Sequence, residues 1–169
     1  MFANPMKETT FRRLNREELE SVREQFVKFL ALNGISADHW TTIKQDEPAR
    51  ADALILQFSQ VVFAGTIERV RYLIHRRPFD LRTYKTDAEK IYMRGILLTG
   101  ETSVDFTKDD LPPGELFARL KTDPGTAKVY AAERAYLPVG RDQDIFKLLE
   151  EGALIDESGE LFEALAALS

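Results

Sequence analysis

ADALILQFSQVVFAGTIERVRYLIHRR, residues 51–77, holds the longest apolar pattern in the sequence, and its period changes partway along. Leu54, Phe58, Val61, Val62 and Gly65 recur at helical spacing and so share one face. Pro48 stands just inside the expected helix start, where its missing N–H costs nothing. Beyond Gly65, Ile67, Arg69, Arg71 and His75 alternate with Val70, Tyr72 and Ile74, and we read Thr66–Arg77 as a strand. Phe63, Ile67 and Val70 also fit a helical stripe, which leaves open a helix that runs on to Val70. Pro78 ends whatever regular structure precedes it. A helix leading directly into a strand sets the main core between one long helix and one sheet.

Working outward, Leu81–Thr86 alternates in the same way, and Asp87–Lys90 turns the chain into the apolar run IYMRGILLT, Ile91–Thr99. Three strands joined by short loops predict an antiparallel meander. Glu101–Asp110 is polar, with Val104 and Phe106 placed to extend the sheet. The flanks read as helices. Asn15 with Glu18 three residues on is a capping box, with Leu14 and Leu19 as its staple. Leu19, Val22, Phe26, Phe29 and Leu30 form one stripe, which Asn33-Gly34 stops. Ser36 caps a short helix carrying Trp40 and Ile43. After Pro112-Pro113 come Leu116, Phe117 and Leu120. Asp123-Pro124 looks like a cap and first-turn proline for a helix carrying Val129 and Tyr130, closed by Pro138. Asp142 caps a helix ending at Gly152, and a short helix from Leu161 finishes the chain. Strands in the middle with helices at both ends predict an α+β fold, not βαβ units.

At 169 residues, one domain spanning residues 11–169 is the expectation, behind a loose segment at residues 1–10. There are no cysteines, so disulfides, thiolate metal sites and a cysteine nucleophile are excluded, and a cytoplasmic location is expected. MFANPMKETTFRRL lacks an apolar core, so no secretory signal is expected, and no apolar run suggests a membrane span. The net charge of −5 conceals a separation. Residues 66–95 carry eight Lys or Arg against four acids; residues 142–169 carry eight acids against Lys147 alone. Such a chain binds an anion, binds a basic partner, or pairs its two regions internally.

The sequence contains no GxxxxGK[ST], GxGxxG, HExxH or GxSxG motif. A zinc site would need His39, His75 and distant carboxylates; both histidines read more simply as solvated surface residues. The candidate site is basic: Arg69, Arg71, His75, Arg76, Arg77, Arg82 and Arg94, with Tyr72, Tyr84 and Tyr92 interleaved. Arg69, Arg71 and His75 share a parity and so one face of the expected strand. Cations hold phosphate while aromatics stack bases, so nucleic acid or another polyanion is one reading. The plainer one is a solvated cationic face, partly paired with the acidic tail. Acidic overall charge weighs against nucleic acid. Glu101, Asp105, Asp109 and Asp110 offer carboxylates for Mg²⁺ and a metal-dependent hydrolase. Asp156–Gly159 lacks the spacing of a calcium loop. Leu161, Phe162, Leu165 and Leu168 make a terminal apolar helix that either docks on the core or presents a partner face.

FRRLNREELESVREQFVKFLALNGISADHW, ILQFSQVVFAGTIERVRYL, KIYMRGILLTGETSVDFT and DIFKLLEEGALIDESGELF together resemble a family of uncharacterised bacterial proteins, a domain of unknown function. The resemblance covers roughly residues 9–169 and implies one domain; it carries no activity, cofactor or catalytic set. The resulting expectation is a cytosolic, non-enzymatic binding or interaction protein, an accessory subunit of a larger assembly. It would need no cofactor or metal and would have a protein partner or second copy, with nucleic acid as the alternative and no membrane role.

Overall fold

A computed structural model of the chain describes residues 11–168. The expected loose segment at residues 1–10 lies outside the described residues. The chain divides into two compact units, residues 1–68 and 69–169.

The first unit is helical. Helices α1 (Arg16–Ser21) and α2 (Arg23–Leu32) replace the single expected helix, because the backbone leaves helical geometry at Val22. The capping box forms: the Asn15 side chain accepts from Glu18 N–H while Glu18 Oε1 accepts from Asn15 N–H. Gly34, at φ 74°, ends α2 in the left-handed region. Ser36 caps α3 (Ala37–Asp46) by accepting from His39 N–H. Helix α4 runs from Pro48 to Glu68. Phe26, Leu30, Ile43, Ile55 and Phe58 form the core, and Trp40 meets Phe26 edge-on at 5.1 Å. Buried Ser59 donates to Ile55 O and accepts from Leu14 N–H, so no polar atom is stranded there.

The second unit carries the sheet. Its strands are β1 (Tyr72–Arg77), β2 (Asp80–Thr86), β3 (Lys90–Thr99), β4 (Thr126–Ala135) and β5 (Leu154–Ile155). They lie in the order β4-β3-β2-β1-β5, every neighbouring pair antiparallel. The expected meander is therefore its centre, and the fold is α+β. Three expectations need correcting. The strand expected from Thr66 begins at Tyr72, because the stripe through Phe63 and Ile67 carries α4 on to Glu68. Residues 101–112 add no strand; Val104 and Phe106 are buried from a loop instead. The helix expected after Asp123-Pro124 is strand β4. Asp123 does cap, but it caps a loop: it accepts from Ser103 N–H, Ser103 Oγ and Gly125 N–H, which hold its pKa down at about 2.

Alternation along the strands, combined with their register, sorts side chains onto two faces. One face presents Ile74, Leu81, Ile96 and Leu98. Helices α5 (Pro113–Thr122) and α7 (Glu160–Ala166) cover it, together with Val104 and Phe106. The terminal apolar helix thus docks on the core: Leu161, Phe162 and Leu165 are buried. Its Glu163 accepts from Lys85 Nζ at 2.9 Å and Tyr72 OH at 3.0 Å, one pairing of the acidic tail with the basic strands. The other face meets α6 (Arg141–Glu150), whose Leu148 and Glu151 just beyond it stand over Tyr84 and Met93. Helix α6 starts one residue before Asp142, behind Gly140, so Asp142 is not its side-chain cap.

Candidate functional site

Register places four cross-strand rows on the second face. Arg77, Asp80, Leu97 and Lys128 form one; His75, Arg82, Gly95 and Tyr130 form the next; Leu73, Tyr84, Met93 and Ala132 the third; Ile91 and Arg134 belong to the fourth. Helix α6 lies at the Ile91–Arg134 end, where it shelters a hollow of about 290 Å³ between Arg82, Tyr84, Met93, Arg134 and Leu148. The Arg77–Lys128 row at the opposite end is open: Arg77 and Lys128 are exposed, and Leu97 keeps 38% of its surface in solvent.

A glycine shapes the middle of this face. Tyr130 is cross-strand to Gly95 and its ring lies over it, so closely that a Cβ on Gly95 would stand 2.4 Å from the ring. That path carries the phenol across β3 to β2. The Tyr130 hydroxyl donates to Asp80 Oδ1, and Arg82 Nε donates to Asp80 Oδ2 at 3.1 Å and to the Tyr130 oxygen at 3.2 Å. Burial opposes the charge on Arg82, but Tyr130 and Asp80 outweigh it and hold its pKa above the ordinary value. Burial and the bond to Asp80 push Tyr130 up as well. His75 is pushed down, first by burial and then by the cations Arg77 and Arg82. Gly152, at φ 114°, lets the chain pass over it: a Cβ there would sit 3.2 Å from His75 Nε2.

Of the basic residues picked from the sequence, His75, Arg77 and Arg82 share this face. Arg76 and Arg94 lie on the opposite one, where Arg76 pairs with Asp110 at 2.9 Å and Arg94 stacks 5.6 Å over the Phe162 ring. Arg69 and Arg71 precede β1, so the shared parity of Arg69, Arg71 and His75 has no strand to act through. Sequence reasoning missed Lys128, Tyr130 and Arg134, because their segment reads as helix. The parity Lys128, Tyr130, Ala132, Arg134 was the available signal.

The acidic run does not converge. Asp105 accepts from Thr107, Asp109 accepts from Asp105 N–H and pairs with Arg119 at 3.5 Å, and Asp110 pairs with Arg76. Among the described residues no three His, Asp or Glu side chains gather where a metal ion could be held. His39 is exposed on α3. No helix among them is long and apolar enough to cross a membrane.

The second face thus brings together the exposed cations Arg77 and Lys128, exposed Leu97 and the phenols of Tyr84 and Tyr130. No curated protein sequence and no solved structure matches the chain. A family model described as "Family of unknown function (DUF6495)" matches residues 6–169, and the chain belongs to that family.

Proposed function

We propose that this is a non-enzymatic interaction protein of the cytoplasm, an accessory subunit that holds an acidic protein partner on the open half of its second sheet face. One observation carries the reading: Arg77 and Lys128, exposed and without an ion-pair partner among the described residues, stand at the two ends of a row whose interior holds exposed Leu97 and Asp80, the latter tied to Arg82 and Tyr130. With Asp80 already engaged by Arg82 and Tyr130, two unpaired cations at the ends of a row that exposes Leu97 fit a partner with carboxylates around an apolar contact. The absence of cysteine supports the compartment.

Nucleic acid is the second reading, and Tyr84 and Tyr130 on the same face favour it. Against it stand the net charge of −5 and the tie of the Tyr130 hydroxyl to Asp80. Retention on immobilised poly-glutamate, compared with a single-stranded oligonucleotide column at matched salt, separates the two. The expected result is retention on poly-glutamate that Arg77→Glu with Lys128→Glu abolishes. Flow-through of the wild-type chain at low salt would end the reading.

A further inference from the structure

Strand β4 is the edge of the sheet, and it is ten residues long, with every residue but Tyr130 exposed. Such an edge is normally blunted by shortness, proline, a bulge or a covering element. The opposite edge, β5, is two residues long. Strand β4 has neither shortness nor proline, and its pairing with β3 runs unbroken from Lys90↔Ala135 to Thr99↔Thr126.

Which of its backbone groups point outward follows from the ladder. Leu98 N–H donates to Phe79 O at 2.8 Å and Asp87 N–H to Lys90 O at 3.0 Å, which fixes the phase of the β2–β3 pairing. Even-numbered residues of β3 therefore turn their backbone groups to β2 and odd-numbered ones to β4. Their partners, Lys128, Tyr130, Ala132 and Arg134, bond inward, leaving Ala127, Val129, Ala131, Glu133 and Ala135 with N–H and C=O directed away from the sheet. Three of those five are alanines, so little stands in the way of an added strand.

The two faces of β4 set the chemistry of that strand. Neighbours across a ladder share a face. On the second face the newcomer would lie beside Lys128 and beside Arg134, whose guanidinium is already paired with Asp144, and on the first beside Ala127, Val129, Ala131 and Glu133. It is therefore acidic on the side that meets Lys128 and apolar on the side that meets Ala127, Val129 and Ala131. A second copy of this chain fits poorly, since the one acid of β4, Glu133, lies on the face opposite Lys128 and would not meet it in two-fold pairing of β4 with itself. We propose that β4 takes up an extended segment of the partner, alternating acidic and apolar residues, as a sixth strand of the sheet. This rests on the acidic-partner reading above and adds the backbone ladder to it.

The test uses the full chain and a synthetic peptide as long as β4 that alternates Glu with Val. Titration followed by fluorescence anisotropy should show binding, and a Lys/Val peptide should not bind. Proline at an outward position removes a donor that the ladder with β3 does not use. Val129→Pro and Ala131→Pro should therefore each keep the wild-type circular dichroism and melting, yet weaken the peptide by about tenfold or more, as loss of backbone bonds requires. N-methylation of the peptide's edge-facing amides should do the same to the unaltered protein, and needs no variant to fold. Unchanged affinity for the methylated peptide would overturn strand addition. If poly-glutamate retention still falls with Arg77→Glu, the acidic-partner reading survives that failure. Loss of both retention and peptide binding in the wild type overturns both, and tighter binding of an oligonucleotide than of the peptide overturns the choice of partner.

Discussion

At Gly95 a single methyl group would decide where Tyr130 goes. The ring occupies the space a Cβ would need, and the same ring delivers the hydroxyl to Asp80 and Arg82. Gly95→Ala must push the phenol off β3 and separate it from both partners. We expect a loss of about 1–3 kcal/mol, the usual cost of overpacking. In a Tyr130→Ala background the same change no longer meets the ring and should stabilise by about 0.5 kcal/mol, because alanine loses less backbone entropy than glycine in a strand. Urea unfolding of the four proteins closes the cycle, and equal effects of Gly95→Ala in both backgrounds would remove the ring's role. Residue-scale chemistry was partly legible beforehand. Asn15, Ser36 and Gly34 announce caps and stops because those signals are local. The Asp80–Arg82–Tyr130 cluster is not local: it joins residues 50 apart, and nothing in the composition of either strand marks the other as its neighbour.

Among elements, the strongest link on the second face ties β4 to α6. Arg134 donates to both oxygens of Asp144, at 2.6 and 2.7 Å, and Leu137 N–H adds a third bond at 3.0 Å. Asp144 is 1% exposed while the Arg134 side chain is 44% exposed, so the two halves of the pair are not equivalent. Arg134→Ala strands a buried carboxylate and should cost about 3 kcal/mol, the low end for such losses because Arg134 is half in water. Asp144→Asn keeps an acceptor for Leu137 and leaves Arg134 free to reach solvent, so about 1–2 kcal/mol is expected. The double variant should be more stable than Arg134→Ala alone. Arg134 pulls the Asp144 pKa down against the effect of burial. The pair's contribution is thus complete above the ordinary carboxylate value near ~3.9 and disappears as pH falls through the lower folded value. Without Arg134, burial raises that pKa, and acid relieves the destabilisation. The stability gap between wild type and Arg134→Ala should narrow on acidification; a constant gap would contradict the pairing. Strand β4 was hidden in the sequence because TAKVYAAERA is rich in Ala, Lys, Glu and Arg, all helix formers. Its pairing with β3 overrides that local preference. At Thr66–Arg71 the reverse occurred: alternation that looked like strand is the last turn of α4 and its exit.

The whole molecule combines two kinds of order. Strands mid-chain with helices at both ends are visible in the hydrophobic periods, so the α+β class was legible. Charge separation was legible too, but which arginines share a surface depends on register, and register is not written in composition. Each unit carries its own buried cluster: Phe26, Leu30, Ile43, Ile55 and Phe58 in residues 1–68, and Leu81, Ile96, Phe106, Leu116 and Leu165 in residues 69–169. Separate cores predict separate folding. A fragment of residues 69–169 keeps Val70 and Arg71, whose carbonyls accept from the Thr86 hydroxyl, so the cut severs none of those bonds. It should melt cooperatively and give a dispersed amide NMR spectrum. Residues 1–68 are close to the roughly 60-residue size at which a lone core becomes marginal, so that fragment should melt at lower temperature than the sheet unit. The sheet unit is built on pairings between segments far apart in sequence, β3 with β4 and β1 with β5, so the larger fragment should refold more slowly in stopped-flow. A collapsed, undispersed spectrum from residues 69–169 would show instead that the sheet depends on the helices before it, and that the chain folds as one cooperative body.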